Sequence, residues 1–123
     1  MGAIIFVYGT LKRGLRNHAL LAGQQFEGVA RTLSHYRLYD SGPHPCLVED
    51  RGHGYAVQGE IWRVDDCTLA RLDEFEDVPG LFVRRQIEIA GISTPVFAYL
   101  YQGNVAGMKD CGERWQSAAQ GAC

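Results

Sequence analysis

A single segment of this chain carries helical periodicity, and this limits the fold more than any other feature of the sequence. That segment, DDCTLARLDEFED, begins at two candidate caps, Asp65 and Asp66, and runs to about Phe75 or Glu76 before Pro79 ends it. The other patterned segments predict strands at 3–8, 26–33, 36–40, 45–49, 56–64, 82–90 and 94–101, and a short helical turn at 17–21. Many strands with one helix predict an α+β domain whose sheet curls into a barrel.

Length and composition predict one soluble domain. The 123 residues suffice for a single core, so we expect one domain over 1–123, with a weakly patterned tail from about residue 106. The net charge of −2 offers no basic surface for nucleic acid or an anionic membrane, and the apolar run 3–8 is too short for a signal peptide or a membrane span. The four cysteines lack zinc-site spacing and are expected to stay reduced. We therefore expect a cytoplasmic protein that binds neither nucleic acid nor membranes.

The predicted helix places one carboxylate among its apolar side chains. At about 100° per residue, Leu69 and Leu72 define an apolar face and Glu76 projects between them, whereas Glu74 lies on the opposite side. Burial disfavours the charged form of a carboxylate and raises its pKa, which prepares it to carry a proton near neutral pH. The sequence leaves a second interpretation open, in which Glu76 turns to solvent or pairs with one of the arginines at 84–85.

Five segments of the sequence form an ordered set of motifs. They are VYGTLKRG at 7–14, with Asn17, His18 and Leu21 after it, LYDSGPHPCLV at 38–48, GEIWRVD at 59–65, LDEFEDVPGLFVRR at 72–85 and VFAYLY at 96–101. The Y-G-T-L tetrapeptide alone is a weak signal, but the L-D-x-x-E pattern downstream makes the combination specific. In this order, the segments resemble the γ-glutamylcyclotransferase-like (AIG2-like) family, and within it the γ-glutamylamine cyclotransferase branch in particular.

The resemblance implies both a fold and a site. The fold is a small mixed β-barrel with a cavity at one end, in which a turn holds the substrate through backbone groups. By match to the family motifs, the catalytic residue is Glu76 and the substrate-binding residues are Tyr8, Gly9, Thr10, Leu11 and Tyr99. For Tyr99, simple packing in or over the barrel remains the alternative.

The reaction that the resemblance implies is an intramolecular aminolysis. The α-amine of a γ-glutamyl unit attacks that unit's own side-chain carbonyl, closes 5-oxoproline and expels an amine or an amino acid. Since the nucleophile belongs to the substrate, no metal or cofactor is expected. The reaction needs a carboxylate with a raised pKa to move the proton, and backbone N–H groups of a glycine-containing turn to stabilise the carbonyl oxygen. We therefore expect a cofactor-independent transferase or lyase that is a monomer by default, with a weak dimer as the alternative.

Two positions depart from the family pattern. Asp77 stands where the family often has glycine, and Phe82 stands where it has tyrosine, so both departures bear on the choice of substrate. A non-catalytic small-molecule binding module on the same scaffold is the alternative from a different class. It predicts an ion-paired Glu76 and a closed pocket.

Two further groups of residues have side chains that could take part in chemistry. Lys12, Arg13 and Arg16 follow the Y-G-T-L turn and would attract an anion, although a solvated turn is the default interpretation. His44 and Cys46 would form a base and a thiol nucleophile, but Cys46 is better explained as the start of a buried strand.

Overall fold

The computed structural model describes residues 2–113, which form two β-sheets, one α-helix and one short 3₁₀ helix. The strands are β1 (Gly2–Val7), β2 (Gln25–Arg31), β3 (Tyr36–Asp40), β4 (Pro45–Glu49), β5 (Gln58–Asp65), β6 (Phe82–Ile89), β7 (Ile92–Tyr101) and β8 (Lys109–Asp110). The helices are α1 (Asp66–Phe75) and the 3₁₀ helix His18–Leu21. The strands predicted from the sequence and the helix agree with these bounds to within about two residues at each end.

The larger sheet is mixed, with the strand order β2-β5-β1-β7-β6. β1 pairs in parallel with β7 and antiparallel with β5, and the other two pairings are antiparallel. At one end the edge strands meet, since Thr32 bridges Ile89 and the Leu33 N–H donates to the Glu88 carbonyl over 3.0 Å. No closed barrel is found in residues 2–113. The α+β class with a mixed sheet is therefore observed, and the barrel is not confirmed.

Helix α1 begins at the predicted cap and is held to the core by its apolar face. The Asp65 carboxylate accepts a hydrogen bond from the Thr68 N–H over 2.7 Å, which satisfies one of the free donors at the helix start. Leu72 is fully buried, and it packs in a cluster with Ile5 of β1 and Val64 of β5. This packing brings the C-terminal end of the helix close to the end of β1.

The smaller sheet has the order β4-β3-β8, so the segment after residue 106 contributes a two-residue strand. Asp110 of β8 is ion-paired with Arg37 of β3. Cys46 and Cys67 are free thiols, but Cys111 is disulfide-bonded, so the expectation of reduced cysteines is wrong for Cys111. The remainder of the predicted tail, from residue 114, lies outside the described residues. Within 2–113, no helix has the length and apolar character that crossing a membrane requires.

Candidate active site

A cavity of about 320 Å³ opens where the ends of β1 and α1 meet the first residues of β4 and β6. Its lining residues are Phe6, Val7, Tyr8, Gly9, Thr10, Leu11, Arg16, Asn17, His44, Pro45, Phe75, Glu76, Leu81, Phe82 and Tyr99. All six residues that the family motifs single out are among them, although Tyr8 and Tyr99 are 91 positions apart in sequence. The fold thus brings the candidate catalytic and substrate-binding residues together at one place.

Glu76 lies at the C-terminal cap of α1 and contributes to the cavity wall. Its N–H donates to the Leu72 carbonyl over 2.9 Å, which fixes its backbone as the last part of the helix. Its side chain is partly buried, and within residues 2–113 no side chain or backbone group hydrogen-bonds or ion-pairs with its carboxyl. Burial raises the pKa of Glu76 to about 7. The carboxyl is therefore free to exchange a proton near neutral pH.

The ion pair that the sequence left open for Glu76 is not formed. Arg84 instead donates two hydrogen bonds to the carboxylate of Asp73, from Nε over 2.9 Å and from Nη2 over 3.0 Å. Arg85 is exposed on β6. The interpretation of Glu76 as one half of an ion pair with Arg84 is therefore wrong.

Asp77 adopts the left-handed conformation that ends the helix, with φ of 55°. The Val78 N–H donates to the Asp73 carbonyl over 3.0 Å, and the Asp77 N–H donates to the Glu74 carbonyl over 3.1 Å. These two bonds form a Schellman motif, in which glycine is the usual residue at the left-handed position because it has no Cβ. The departure from glycine at this position therefore affects the backbone conformation. Aspartate is among the few other residues that tolerate the left-handed region.

We expect Asp77→Gly to raise the free energy of unfolding by up to about 1 kcal/mol, and Asp77→Val to lower it by about 1–2 kcal/mol. Glycine relieves the contact between Cβ and the backbone, whereas a β-branched side chain worsens it. Urea denaturation of the purified variants measures both changes. Asp77→Asn is the matched control, because it removes the charge and keeps the conformational preference. A valine variant as stable as the asparagine variant would contradict this account.

The turn after β1 directs its backbone toward the cavity. The Lys12 N–H donates to the Gly9 carbonyl over 3.0 Å, and Asn17 ties the turn from the other side through its N–H to the Thr10 carbonyl over 3.0 Å and its Nδ2 to Thr10 Oγ1 over 2.8 Å. In the described part of the chain, no protein oxygen accepts from the N–H groups of Gly9, Thr10 or Leu11. These N–H groups are the donors that the family resemblance assigns to substrate binding.

Gly9 also has a packing reason to be glycine. A Cβ on Gly9 would lie 2.4 Å from Cγ of Pro45, a distance that real side chains do not tolerate. The prediction from the sequence was that glycine at this position allows a ligand to approach the backbone closely. The structure adds the close approach of Pro45, the first residue of β4.

The two tyrosines of the candidate site use their hydroxyl groups within the protein. Tyr8 donates to the main-chain carbonyl of Tyr99 over 2.6 Å, and Tyr99 donates to Oδ1 of Asp73 over 2.8 Å. Burial raises the pKa of both hydroxyl groups, so neither acts as a base at neutral pH. Their rings line the cavity while their hydroxyl groups connect β7 to the turn and to α1.

The rest of the cavity wall combines one cationic side chain with apolar groups. Arg16 is exposed and donates to the Pro43 carbonyl, and it lines the cavity, so the solvated-turn interpretation holds for it only in part. Phe75 and Leu81 are exposed apolar residues on the helix side of the cavity. Phe82 is buried. The position of Arg16 agrees with the anion-attracting alternative that the sequence offered beside the solvated turn, whereas Phe75 and Leu81 were not singled out, because no local pattern shows which loop faces which helix end.

The other candidate chemistries have weaker support, although the geometry does bring Sγ of Cys46 to 4.0 Å from Nδ1 of His44. Cys46 is fully buried, and burial raises the pKa of its thiol to about 11, so it is not a ready thiolate nucleophile. Arg13 is held by Glu60, with Nε 3.1 Å from Oε2, and its guanidinium covers the ring of Phe26. Among residues 2–113, no group of three or more His, Cys, Asp or Glu side chains is arranged to hold a metal ion.

Known proteins share both the sequence and the fold. The family model described as "Gamma-glutamyl cyclotransferase, AIG2-like" matches residues 5–117. A relative from Vibrio cholerae is 45% identical over 105 residues, which are 83% of this chain and 84% of that protein. The gamma-glutamylaminecyclotransferase of Bos taurus is 41% identical over 108 residues, which are 80% of this chain and 64% of that protein. The chain thus spans slightly less than two thirds of the bovine relative.

The crystal structure of an AIG2-like protein from Mus musculus has the same fold. It superposes with a TM-score of 0.81 at 32% identity, over 94% of this chain and 88% of that one. A family model that accounts for nearly the whole sequence, relatives above 40% identity and a shared fold lead to one conclusion. The chain belongs to the gamma-glutamyl cyclotransferase, AIG2-like family, and is an enzyme of the cyclotransferase type.

Proposed function

We propose that the protein converts the γ-glutamyl group of a small γ-glutamyl amine or γ-glutamyl amino acid to 5-oxoproline and releases the amine. The observation that carries this proposal is the carboxyl of Glu76, which is partly buried, unpaired among the described residues and in the same cavity as the backbone turn at Gly9–Thr10. A carboxyl group with a pKa of about 7 is suited to taking and returning a proton at neutral pH.

In the proposed mechanism, Glu76 first takes a proton from the substrate α-ammonium. The resulting amine attacks the γ-carbonyl carbon and forms the C–N bond of the five-membered ring. N–H groups of Gly9, Thr10 and Leu11 stabilise the negative charge on the carbonyl oxygen. Glu76 returns a proton to the departing nitrogen as the old C–N bond breaks. One of the three protons of the substrate ammonium stays on the ring nitrogen of 5-oxoproline, and the other two pass to the departing nitrogen, which leaves as an ammonium ion, so the reaction balances without a further reactant.

We expect the rate of 5-oxoproline formation to fall on the acid side of about pH 7. The free enzyme must hold Glu76 as the carboxylate to accept a proton, and its pKa is raised to about 7 by burial. Below that pH, kcat/KM should decrease about tenfold per pH unit, because the reactive carboxylate becomes the minor form. Initial rates at fixed ionic strength between pH 5 and 9 measure this profile. A flat profile down to pH 5 would contradict a base with a raised pKa.

The activity is tested by mass spectrometry of 5-oxoproline with a panel of γ-glutamyl amines, γ-glutamyl amino acids and glutathione. The proposal expects product from at least one class, and the relative rates identify the leaving group. The competing function is small-molecule binding on the same scaffold without turnover. No product from any member of the panel, together with thermal stabilisation by the same compounds, would favour that binding function.

A further inference from the structure

The carboxylate of Asp73 joins three elements beside the cavity. It belongs to the last turn of α1 and accepts two hydrogen bonds from Arg84 of β6, over 2.9 and 3.0 Å. It also accepts a hydrogen bond from the Tyr99 hydroxyl of β7 over 2.8 Å. Since a two-point contact between a guanidinium and a carboxylate fixes both groups in orientation, this network sets where the Arg84 charge lies.

Arg84 lies on the face of the sheet that forms the cavity wall. It is the cross-strand partner of Tyr99, so the two side chains project from the same face. Phe82 is two residues earlier on β6 and therefore shares that face. Both Tyr99 and Phe82 line the cavity that contains Glu76. A cationic side chain at the edge of this wall would be drawn to an unpaired carboxylate unless it is held elsewhere.

We propose that Asp73 is a positioning residue that holds Arg84 away from Glu76 and so keeps the Glu76 carboxyl unpaired in the cavity. The two acids are three positions apart, which places them side by side at the end of the helix. Asp73 pairs with the guanidinium of Arg84, and Glu76 stays available for proton transfer. This inference rests on the function proposed above, in which Glu76 moves the proton.

Several charged or titratable groups surround Glu76, and a test must separate Arg84 from them. From the other elements these are Tyr8, Arg16, His44, Cys46 and Tyr99. On its own segment they are Asp73 and Asp77. Removal of Asp73 therefore has two effects on Glu76, because it releases Arg84 and it removes a neighbouring negative charge. Asp77→Asn removes a neighbouring negative charge without releasing Arg84, so it is the matched control.

The experiment measures the titration midpoint of Glu76 by NMR in protein carrying glutamate labelled with ¹³C at the side-chain carboxyl. The Glu76 signal is assigned from its loss in Glu76→Gln. In Asp73→Asn the released Arg84 is expected to pair with Glu76 and to lower the midpoint by about one pH unit or more. In Asp77→Asn the change should be clearly smaller. The double variant Asp73→Asn/Arg84→Gln should return the midpoint to that of the wild type.

A midpoint in Asp73→Asn equal to that in Asp77→Asn, or a double variant that keeps the lowered midpoint, would overturn the proposal. Asp73→Ser gives an independent test in case Asp73→Asn does not fold. It also releases Arg84, so it should lower the midpoint by about one unit or more, and a midpoint equal to that in Asp77→Asn would overturn the inference. No substrate is needed for these titrations. An absence of 5-oxoproline from the wild type would therefore count against the proposed function without affecting this test.

Discussion

Replacement of Glu76 by glutamine is expected to lower kcat for 5-oxoproline formation by about 10²–10⁴-fold. Glutamine keeps the size and shape of glutamate but cannot take a proton from the attacking ammonium or return one to the leaving nitrogen. KM should change little, because the substrate is expected to be held mainly by the backbone turn that follows β1. Product formation by wild type and variant, measured by mass spectrometry under saturating substrate, gives the ratio.

Glu74→Gln is the matched control for this prediction. It makes the same chemical change two residues earlier, on the exposed side of α1 and outside the cavity. We expect it to retain the wild-type rate. If Glu76→Gln formed 5-oxoproline at the rate of the wild type, the assignment of Glu76 as the proton carrier would be wrong, whatever the stability of the two variants.

Glu76→Gln also has an expected effect on stability, which can be measured without substrate. A glutamate ionises near pH 4.5 when unperturbed and near pH 7 in this cavity, so the native state holds the proton more tightly than the unfolded chain between these values. The contribution of Glu76 to the stability of the wild type therefore falls as the pH rises from about 4.5 to about 7. Above pH 7 the native protein contains an ionised carboxylate that glutamine lacks. We expect the difference in melting temperature between Glu76→Gln and wild type to be more favourable to the variant at pH 8 than at pH 5.

The features that the sequence predicted well depend on neighbours along the chain. Periodicity and Pro79 were enough to define the helix and to place Glu76 on its apolar side, and Asp65 was recognisable as its cap. The family motifs then identified the turn at Tyr8 and the strand that carries Tyr99. Both predictions use patterns that are complete within a few residues, so they do not require the tertiary structure.

The features that were missed depend on residues that meet only when the chain folds. The pairing of Asp73 with Arg84 joins a helix to a strand, and each residue taken singly is an ordinary charged residue on a predicted element. Closure of the sheet depends on how the edge strands β2 and β6 approach, and alternation along each strand carries no information about that distance. The barrel was therefore an expectation about the assembly of strands, and the described residues show an open strand order with one bridged end.

Gly9→Ala is expected to lower the free energy of unfolding by about 1–3 kcal/mol and to lower kcat/KM by roughly tenfold or more. The added Cβ would lie 2.4 Å from Cγ and 3.0 Å from Cδ of Pro45. The proline ring cannot rotate away, so either the turn or the start of β4 must move. A shift of the turn also displaces the N–H groups of Thr10 and Leu11 that are proposed to hold the carbonyl oxygen. Urea denaturation and steady-state kinetics measure the two effects separately.

A double variant distinguishes the two explanations for Gly9. Pro45→Ala removes the ring atoms that a Cβ on Gly9 would strike, so the stability lost in Gly9→Ala should be largely recovered in Gly9→Ala/Pro45→Ala relative to Pro45→Ala alone. Gly52→Ala controls for the general effect of alanine, because a Cβ at Gly52 meets nothing within 4 Å and should change stability by less than about 0.5 kcal/mol. If stability is recovered but kcat/KM stays low, the substrate itself requires glycine at this position. If stability and kcat/KM are both recovered, the contact with Pro45 alone explains why residue 9 is glycine, and the hypothesis of close approach by a ligand is wrong.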